Sequence, residues 1–313
     1  MVNSIAKGAK PWDRKCVSVN LRFRVLVTGV FGYLGAALVH RLGSRFEIVG
    51  IGRPARAALA LPVPTVVGDA ADVASLLPVD AVIHLAGGGG PAKANADPAR
   101  AVADHVGSTA ALIAATREAP RFLFASTIAV YGTHHAPGRP YREEDPRAPD
   151  ELYGALKAAA EELVALRGGT SLRLANVYGA GCGVDLGLDG AVERFARAAA
   201  RGGEISVYGT GEQRIDYVHV DDVVDAFAAA LEARELPPAI NVGSGAPVSI
   251  AELAEISAAC GRGAQIVRLP APAGKLWPDR SLDCALAERS LGWRPRVPLA
   301  DGVRQLCDMM SGA

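Results

Sequence analysis

A tyrosine and a lysine, Tyr153 and Lys157, lie four residues apart in a segment rich in Ala, Leu and Glu. Residues 150–166 are predicted to form a helix, with Asp150 as its cap. Residues four apart share a helix face, so the phenol and the ammonium would be neighbours. A phenol has an ordinary pKa of about 10, and a nearby ammonium lowers it by stabilising the phenolate. Such a pair could move a proton to or from an alcohol or ketone.

The alternative interpretation of this pattern is a Tyr–Lys pair on the protein surface. The composition of the chain argues against that alternative. Of the 33 Lys and Arg residues only six are lysines, and Lys157 is the only lysine between Lys93 and Lys275. An arginine at this position would be too basic to share a proton. A chain that otherwise uses arginine therefore has a lysine where acid–base chemistry needs one.

A glycine-rich turn near the start of the chain is typical of a dinucleotide site. Residues 23–27 form a short apolar run, residues 28–35 carry the spacing GxxGxxG, and a helical stretch follows to about Leu42. Strand, glycine-rich turn and helix together let a pyrophosphate approach the backbone at the helix N-terminus. A glycine-rich helix start without a ligand is the alternative.

The residue after the second predicted strand, 47–51, bears on the choice of cofactor. An acid that binds the ribose is expected there in an NAD site, but the chain has Gly52 and Arg53. An arginine can pair with a 2′-phosphate, so NADP is favoured over NAD. A solvated loop arginine is the alternative interpretation of Arg53.

The elements that must position these residues alternate along the chain. Strands are predicted at 65–67, 80–86 and 122–125, with a helix over 99–118, which indicates a parallel, doubly wound sheet. Ligands of such sheets lie at the carboxyl ends of the strands. Thr127 follows the fifth strand and is placed to bond a reacting oxygen beside Tyr153, although turn-forming threonines are common. His84 lies in an apolar strand and is predicted to be a core histidine.

The whole chain has the composition of a globular protein. Half of its 313 residues are hydrophobic, acidic and basic residues balance at a formal charge of zero, and no basic block occurs. Nucleic acid and membrane are therefore not expected as partners. Five scattered cysteines fit a reducing cytoplasm and argue against a metal site. Residues 1–20 are predicted to be a polar, flexible extension without a signal sequence.

Nine short stretches, taken in order, resemble the extended short-chain dehydrogenase/reductases that act on nucleotide sugars. They are TGVFGYLG (28–35), GD (68–69), HLA (84–86), STIAVYG (126–132), YGALK (153–157), LRLANVYG (172–179), RIDYVHVDD (214–222), NVGSG (241–245) and LGWRP (291–295). The resemblance implies an α/β fold, a Rossmann-type doubly wound parallel sheet with a smaller C-terminal substrate-binding lobe. Residues 21–175 and 214–245 would form the dinucleotide-binding domain, and 176–213 and 246–313 the nucleotide-sugar lobe.

The same resemblance assigns roles to individual residues. Tyr153 would be the acid/base, Lys157 would lower its pKa and hold the nicotinamide ribose, and Thr127 would be the hydroxyl partner. The expected cofactor-binding residues are Gly29, Phe31, Gly32, Tyr33, Leu34, Gly35, Arg53, Asp69, Ala70, Leu85, Ala86, Gly87 and Lys157. The expected substrate-binding residues are Thr127, Asn176, Tyr208, Arg214 and Arg280, with the two arginines at the diphosphate.

Departures from the family pattern argue against some of the reactions that the family catalyses. Dehydratases and decarboxylases of this family carry acids after the catalytic Thr or Ser, where this chain has the apolar Ile128 and Ala129. Ala129 and Gly181 also stand where the 3,5-epimerase/reductases have Cys and His. His105 stands where the family often has Asn, which alters the local hydrogen bonding.

These observations predict a cytoplasmic NAD(P)-dependent oxidoreductase that acts at C4 of an NDP-sugar. The favoured activity is a 4-ketoreductase of an NDP-4-keto-6-deoxyhexose, because Arg53 favours NADP. The alternatives are an NDP-sugar 4-epimerase, which residues 192–222 resemble, and a cofactor-binding regulator without catalysis. The resemblance also implies a homodimer.

Overall fold

A computed structural model describes residues 23–53, 60–133, 138–181, 190–260, 263–272 and 279–311. The predicted extension, residues 1–20, lies outside the described residues. The strands are β1 (Arg24–Thr28), β2 (Glu47–Gly52), β3 (Thr65–Val67), β4 (Ala81–His84), β5 (Arg121–Thr127), β6 (Thr170–Leu174), β7 (Asn176–Tyr178), β8 (Glu204–Tyr208), β9 (Arg214–Ile215), β10 (Tyr217–His219), β11 (Ala239–Val242), β12 (Val248–Ser249) and β13 (Gln265–Leu269). The helices are α1 (Tyr33–Leu42), α2 (Pro91–Ala96), α3 (Pro98–Val102), α4 (Ser108–Ala115), α5 (Leu152–Leu166), α6 (Ala191–Ala200), α7 (Val220–Glu232), α8 (Ile250–Ala258), α9 (Ala285–Leu291) and α10 (Leu299–Ser311).

Seven parallel strands form the central sheet in the order β11-β6-β5-β4-β1-β2-β3. Successive residues of a strand face opposite sides. Val25 and Val27 of β1 accordingly pack in one buried cluster with Leu38 of α1, whereas Leu26 packs in another with Leu112 of α4. Helices therefore cover both faces, and the predicted Rossmann-type doubly wound sheet is confirmed.

The second half of the chain contributes to two cores. β11 adds to the edge of the central sheet beside β6, and α7 lies against α1, where Arg41 pairs with Asp225 at 2.9 Å. α6, α8 and α10 enclose a separate buried cluster that includes Phe195, Leu253 and Leu306. β8 and β13 pair as a small parallel sheet beside these helices.

Two helices differ from their predicted bounds. The helix expected over 99–118 consists of α3, a π turn at Ala103–Gly107 and α4, and it ends at Ala115. The helix expected to be capped by Asp150 begins at Leu152 with Glu151 at the N-cap, so the Asp150 cap is wrong. The carboxylate of Asp150 instead accepts a hydrogen bond from the hydroxyl of Thr133.

None of the helices in the described ranges is both long enough and apolar enough to cross a bilayer.

Candidate active site

The three predicted catalytic side chains meet at the carboxyl end of β5. Thr127 is the last residue of β5, and its hydroxyl shares a hydrogen bond with the phenol of Tyr153. Lys157, one turn further along α5, donates from Nζ to the carbonyl oxygen of Ala125 at 2.8 Å. The spacing of four on a helix therefore brings both side chains to the same strand end, as the sequence predicted.

A glycine lets α5 approach the strand end closely enough for these contacts. A Cβ on Gly154 would lie well inside van der Waals contact distance of the Ala129 carbonyl oxygen. Ala129 belongs to a short 3-10 helix, Ile128–Tyr131, that directly continues β5. The backbone of α5 thus rests on the segment after Thr127, which fixes Tyr153 beside the threonine hydroxyl.

The pKa of Tyr153 is raised, whereas the sequence predicted that Lys157 would lower it. Burial raises the pKa of Tyr153 to about 12, and the hydrogen bond with Thr127 only partly opposes this shift. Lys157 does not offset it, because its ammonium bonds the β5 backbone and lies 4.6 Å from the ring centroid of Phe124. Burial lowers the pKa of Lys157 itself to about 8, with Glu161 opposing. In the protein alone Tyr153 is therefore a protonated acid that can donate its proton.

The ring of His105 packs against that of Tyr153, a contact that the sequence did not predict. The two rings meet edge to face at 5.5 Å between centroids, and His105 lies in the π turn. Burial and the nearby Lys157 lower the pKa of His105 to about 4, so the imidazole is neutral. Its Nε2 is buried and has no hydrogen-bond partner among the described residues.

His84 is a core residue, as predicted, and it links the sheet to the π turn. Its ring nitrogens lie 2.7 Å from the hydroxyl of Thr28 and 2.9 Å from that of Thr109. The Thr109 hydroxyl donates to the carbonyl oxygen of His105 at 2.6 Å, and the Thr28 hydroxyl accepts from the N–H of Ala86 at 3.2 Å. Burial lowers the pKa of His84 to about 3, which makes this a neutral, structural chain of hydrogen bonds.

A cavity of about 310 Å³ opens beside the glycine-rich turn. Gly29 has φ of 71°, and a Cβ there would lie 2.9 Å from the N of Ala86, so the turn requires glycine. Gly32 is the N-cap of α1 and has no side chain to cover the N–H groups of the first turn. Eight of the predicted cofactor-binding residues line this cavity: Gly29, Phe31, Gly32, Arg53, Asp69, Leu85, Ala86 and Gly87. The open helix N-terminus and the glycine backbone fit the pyrophosphate of a dinucleotide.

The other predicted cofactor residues lie around this cavity instead of lining it. The Tyr33 hydroxyl donates to the carbonyl oxygen of Gly179 at 2.8 Å, and Leu34 packs on the central core. Gly35 is buried in α1, and Ala70 begins the 3-10 helix Ala70–Leu76. Lys157 is directed to β5, as described above.

Arg53 has a partner that the sequence did not reveal. Its guanidinium pairs with the carboxylate of Asp104 at 2.8 Å and lies 3.4 Å from the carbonyl oxygen of Gly87. Asp104 belongs to the π turn and also lines the cavity, as do Lys93 and Ser108. The two partners are 51 residues apart, so no local pattern announces the pair.

The predicted substrate-binding residues are spread over the neighbouring loops and strands. Arg280 lies beside Arg214, to whose carbonyl oxygen its N–H donates at 2.9 Å, and its guanidinium is 4.0 Å from Glu151 at the start of α5. The Arg214 side chain donates to the Pro247 carbonyl oxygen at 2.7 Å.

Asn176 and Tyr208 are the other two predicted substrate-binding residues. Asn176 donates from Nδ2 to the carbonyl oxygen of Asp216 at 3.2 Å. Tyr208 is 41% exposed and lines a separate cavity beside α6.

The sequence pattern of the NAD dependent epimerase/dehydratase family matches residues 25–243. A dTDP-6-deoxy-L-talose 4-dehydrogenase (NAD(P)(+)) from Kitasatospora kifunensis is 34% identical, over 93% of this chain and 96% of that protein. A UDP-glucose 4-epimerase from Mycolicibacterium smegmatis is 31% identical, over 90% of this chain and 96% of that protein.

Solved structures show the same architecture. A UDP-glucose 4-epimerase from Thermotoga maritima, solved with UDP-glucose, superposes with a TM-score of 0.82 at 27% identity, over 91% of this chain and 98% of that one. A UDP-glucose 4-epimerase from Thermus thermophilus, solved with NAD, superposes with a TM-score of 0.81 at 28% identity, over 93% of this chain and 99% of that one.

Proposed function

The chain belongs to the NAD-dependent epimerase/dehydratase family, and from that premise we propose that it is a 4-ketoreductase of an NDP-4-keto-6-deoxyhexose. It is an NAD-dependent enzyme that modifies nucleotide sugars, as its relatives do. The finer proposal concerns the direction of the chemistry and the sugar. A ketone at C4 would accept a hydride at carbon and a proton at oxygen.

The placement of the Tyr153 phenol beside the Thr127 hydroxyl, at the carboxyl end of β5, is the observation that carries this proposal. A phenol whose pKa is raised to about 12 is protonated at neutral pH and can give its proton to the oxygen of a ketone as it is reduced. The residues after Thr127 are Ile128 and Ala129, both buried and apolar, so neither can act as a second acid. A single proton transfer is what a reduction needs, whereas elimination of water needs a further acid or base.

Each site residue has a separate role in the proposed reaction. Tyr153 donates the proton, Thr127 orients the phenol and the sugar oxygen, and Lys157 supplies positive charge at the strand end. Arg214 and Arg280 hold the diphosphate of the substrate. A nicotinamide dinucleotide, when bound along the glycine-rich turn, supplies the hydride.

A relative that spans almost the whole chain supports the choice of sugar. The name of the K. kifunensis protein describes oxidation at C4 of a 6-deoxyhexose with either NAD or NADP. Reduction of the corresponding 4-keto sugar is the reverse of that reaction. We propose NADP as the favoured cofactor and NAD as the second, on the position of Arg53 at the end of β2.

A 4-epimerase is the second candidate, because three of the related proteins and structures described above are UDP-glucose 4-epimerases. An epimerase returns the hydride to the other face of the sugar and consumes no cofactor. We also propose that the protein is a cytoplasmic homodimer. The proposed dinucleotide and sugar lobes meet at boundaries after residues 175, 213 and 245.

The deciding experiment mixes the purified protein with a dTDP-4-keto-6-deoxyhexose and NADPH and follows the absorbance of the reduced nicotinamide. Stoichiometric consumption with formation of one 4-hydroxy product supports the reductase. Conversion of an ordinary NDP-hexose into its C4 epimer, without net change in the cofactor and with inert 4-keto sugars, establishes the epimerase.

A further inference from the structure

An acidic side chain, Asp104, stands in the wall of the dinucleotide cavity. Its carboxylate accepts from Arg53 at 2.8 Å through Oδ2 and from Arg100 at 2.9 Å through Oδ1. The Asp104 side chain is 13% exposed, against 38% for Arg53, so the pair is partly withdrawn from water. Solvent therefore screens this pair less than an ion pair on an open surface.

Arg53 is oriented by two contacts on this side of the cavity. One terminal nitrogen bonds Asp104, and the other lies 3.4 Å from the carbonyl oxygen of Gly87. Both partners are acceptors, so they use donors of the guanidinium fork that an anion in the cavity would otherwise occupy. A phosphate group on the ribose would have to compete with the Asp104 carboxylate for Arg53.

The described residues that line the cavity carry balanced charges. Its charged lining residues among them are Arg53, Lys93, Asp69 and Asp104, two of each sign. A 2′-phosphate adds a charge of roughly −1.5 to −2, and it would meet Asp104 as a like charge. The 2′-hydroxyl of NAD carries no charge and meets no such repulsion.

We propose that Asp104 is a specificity-determining residue that holds Arg53 and so lowers the preference of this enzyme for NADP over NAD. The inference rests on the proposed function in one respect, that Arg53 lies beside the adenosine ribose. Arg53 attracts the 2′-phosphate, and Asp104 moderates that attraction, which lets one site accept both dinucleotides. Asp104 acts through Arg53 and is a positioning residue, not a catalytic one.

The test measures dissociation constants of NAD⁺ and NADP⁺ by isothermal titration calorimetry, without sugar substrate. Asp104→Asn removes the charge and keeps the shape, and Asp104→Ala removes the acceptor as well. Each should raise the affinity for NADP⁺ relative to NAD⁺ by about tenfold, the factor that corresponds to about 1.4 kcal/mol. The affinity for NAD⁺ should stay within about threefold. Glu118→Gln removes the same charge from an exposed position near the end of α4 and should leave the ratio unchanged.

A second pair of variants separates action through Arg53 from direct repulsion. Arg53→Ala should weaken NADP⁺ binding more than NAD⁺ binding. In the Arg53→Ala background, Asp104→Asn should change the ratio clearly less than in the wild type, because only the direct repulsion between Asp104 and the 2′-phosphate is then relieved. An equal rise of NADP⁺ affinity in both backgrounds would overturn the role of Asp104 as a holder of Arg53.

The outcomes distinguish this inference from the proposed reduction. Folded variants, checked by circular dichroism, that bind both dinucleotides with an unchanged ratio overturn the inference and leave the reductase standing. A shifted ratio in a protein that turns over no 4-keto sugar supports the inference and refutes the reductase. Absence of binding to both dinucleotides overturns the inference together with the proposed use of the cofactor.

Discussion

Lys157→Met should stabilise the protein without ligand and strongly lower its turnover. Lys157 is 5% exposed. Within the described part of the chain its ammonium has one hydrogen bond, to the Ala125 carbonyl oxygen, and it lies over the ring of Phe124. Methionine has a similar length and shape and no charge. The substitution therefore removes a buried charge while it keeps most of the packing.

The magnitude follows from the pKa of the ammonium. Burial lowers it from 10.5 to about 8. One pKa unit corresponds to about 1.4 kcal/mol, so holding the cation at neutral pH costs about 3 kcal/mol. Loss of the hydrogen bond to Ala125 offsets about 1 kcal/mol of the gain. We expect the variant to be more stable by about 2 kcal/mol, or a few degrees in Tm.

The pH dependence gives a sharper signature. The pKa of Lys157 is lower in the folded state, so the penalty is fully present below about pH 8 and is relieved as pH rises towards 10.5. Between these values the unfolded chain binds more protons, and the wild type gains stability relative to the variant. Urea unfolding at about pH 7 and about pH 10 should show the difference shrink. Lys93→Met, at an exposed lysine, is the matched control and should show no such convergence.

A variant that is less stable than the wild type at neutral pH would refute this reasoning, and so would a stability difference that does not change with pH. The same variant should lose turnover by a factor on the order of 10² or more, because the strand end then lacks its positive charge. Greater stability with lost activity would show that Lys157 is retained for chemistry.

Two further predictions concern the proton donor and the arginines. Tyr153→Phe should lower turnover by a factor on the order of 10² or more and leave cofactor affinity within a few-fold, as measured by steady-state kinetics and dinucleotide titration; unchanged turnover would remove Tyr153 from its role. Arg214→Ala and Arg280→Ala should each raise the KM for the nucleotide sugar by an amount equivalent to about 1.5–3 kcal/mol, and a fall in cofactor affinity instead would show that the arginines are misplaced.

Local patterns predicted the elements around the cavity well. β3 has its predicted bounds, Thr65–Val67, and α1 ends at Leu42 as expected. An apolar run of β-branched residues, a glycine-rich turn and an amphipathic helix each depend on neighbours in sequence. The GxxGxxG spacing therefore led correctly to a strand, a tight turn and an open helix N-terminus.

Contacts between distant segments escaped prediction. The Arg53–Asp104 pair joins the end of β2 to the π turn, and neither residue type signals the other. The pKa of Tyr153 was expected to fall beside an ammonium, but burial raises it, and the Lys157 ammonium bonds the backbone of β5. Such outcomes depend on side-chain direction and depth, which helix spacing alone does not specify.

The π turn between α3 and α4 has an evolutionary consequence. A π turn holds one more residue than an α turn, so it behaves as a single-residue insertion in the helix. Deleting one residue there would rotate α3 by about 100° relative to α4. Asp104, which faces Arg53, and His105, which faces Tyr153, are adjacent residues of this turn. One insertion or deletion would therefore displace the neighbours of the cofactor ribose and of the proton donor in a single mutational event.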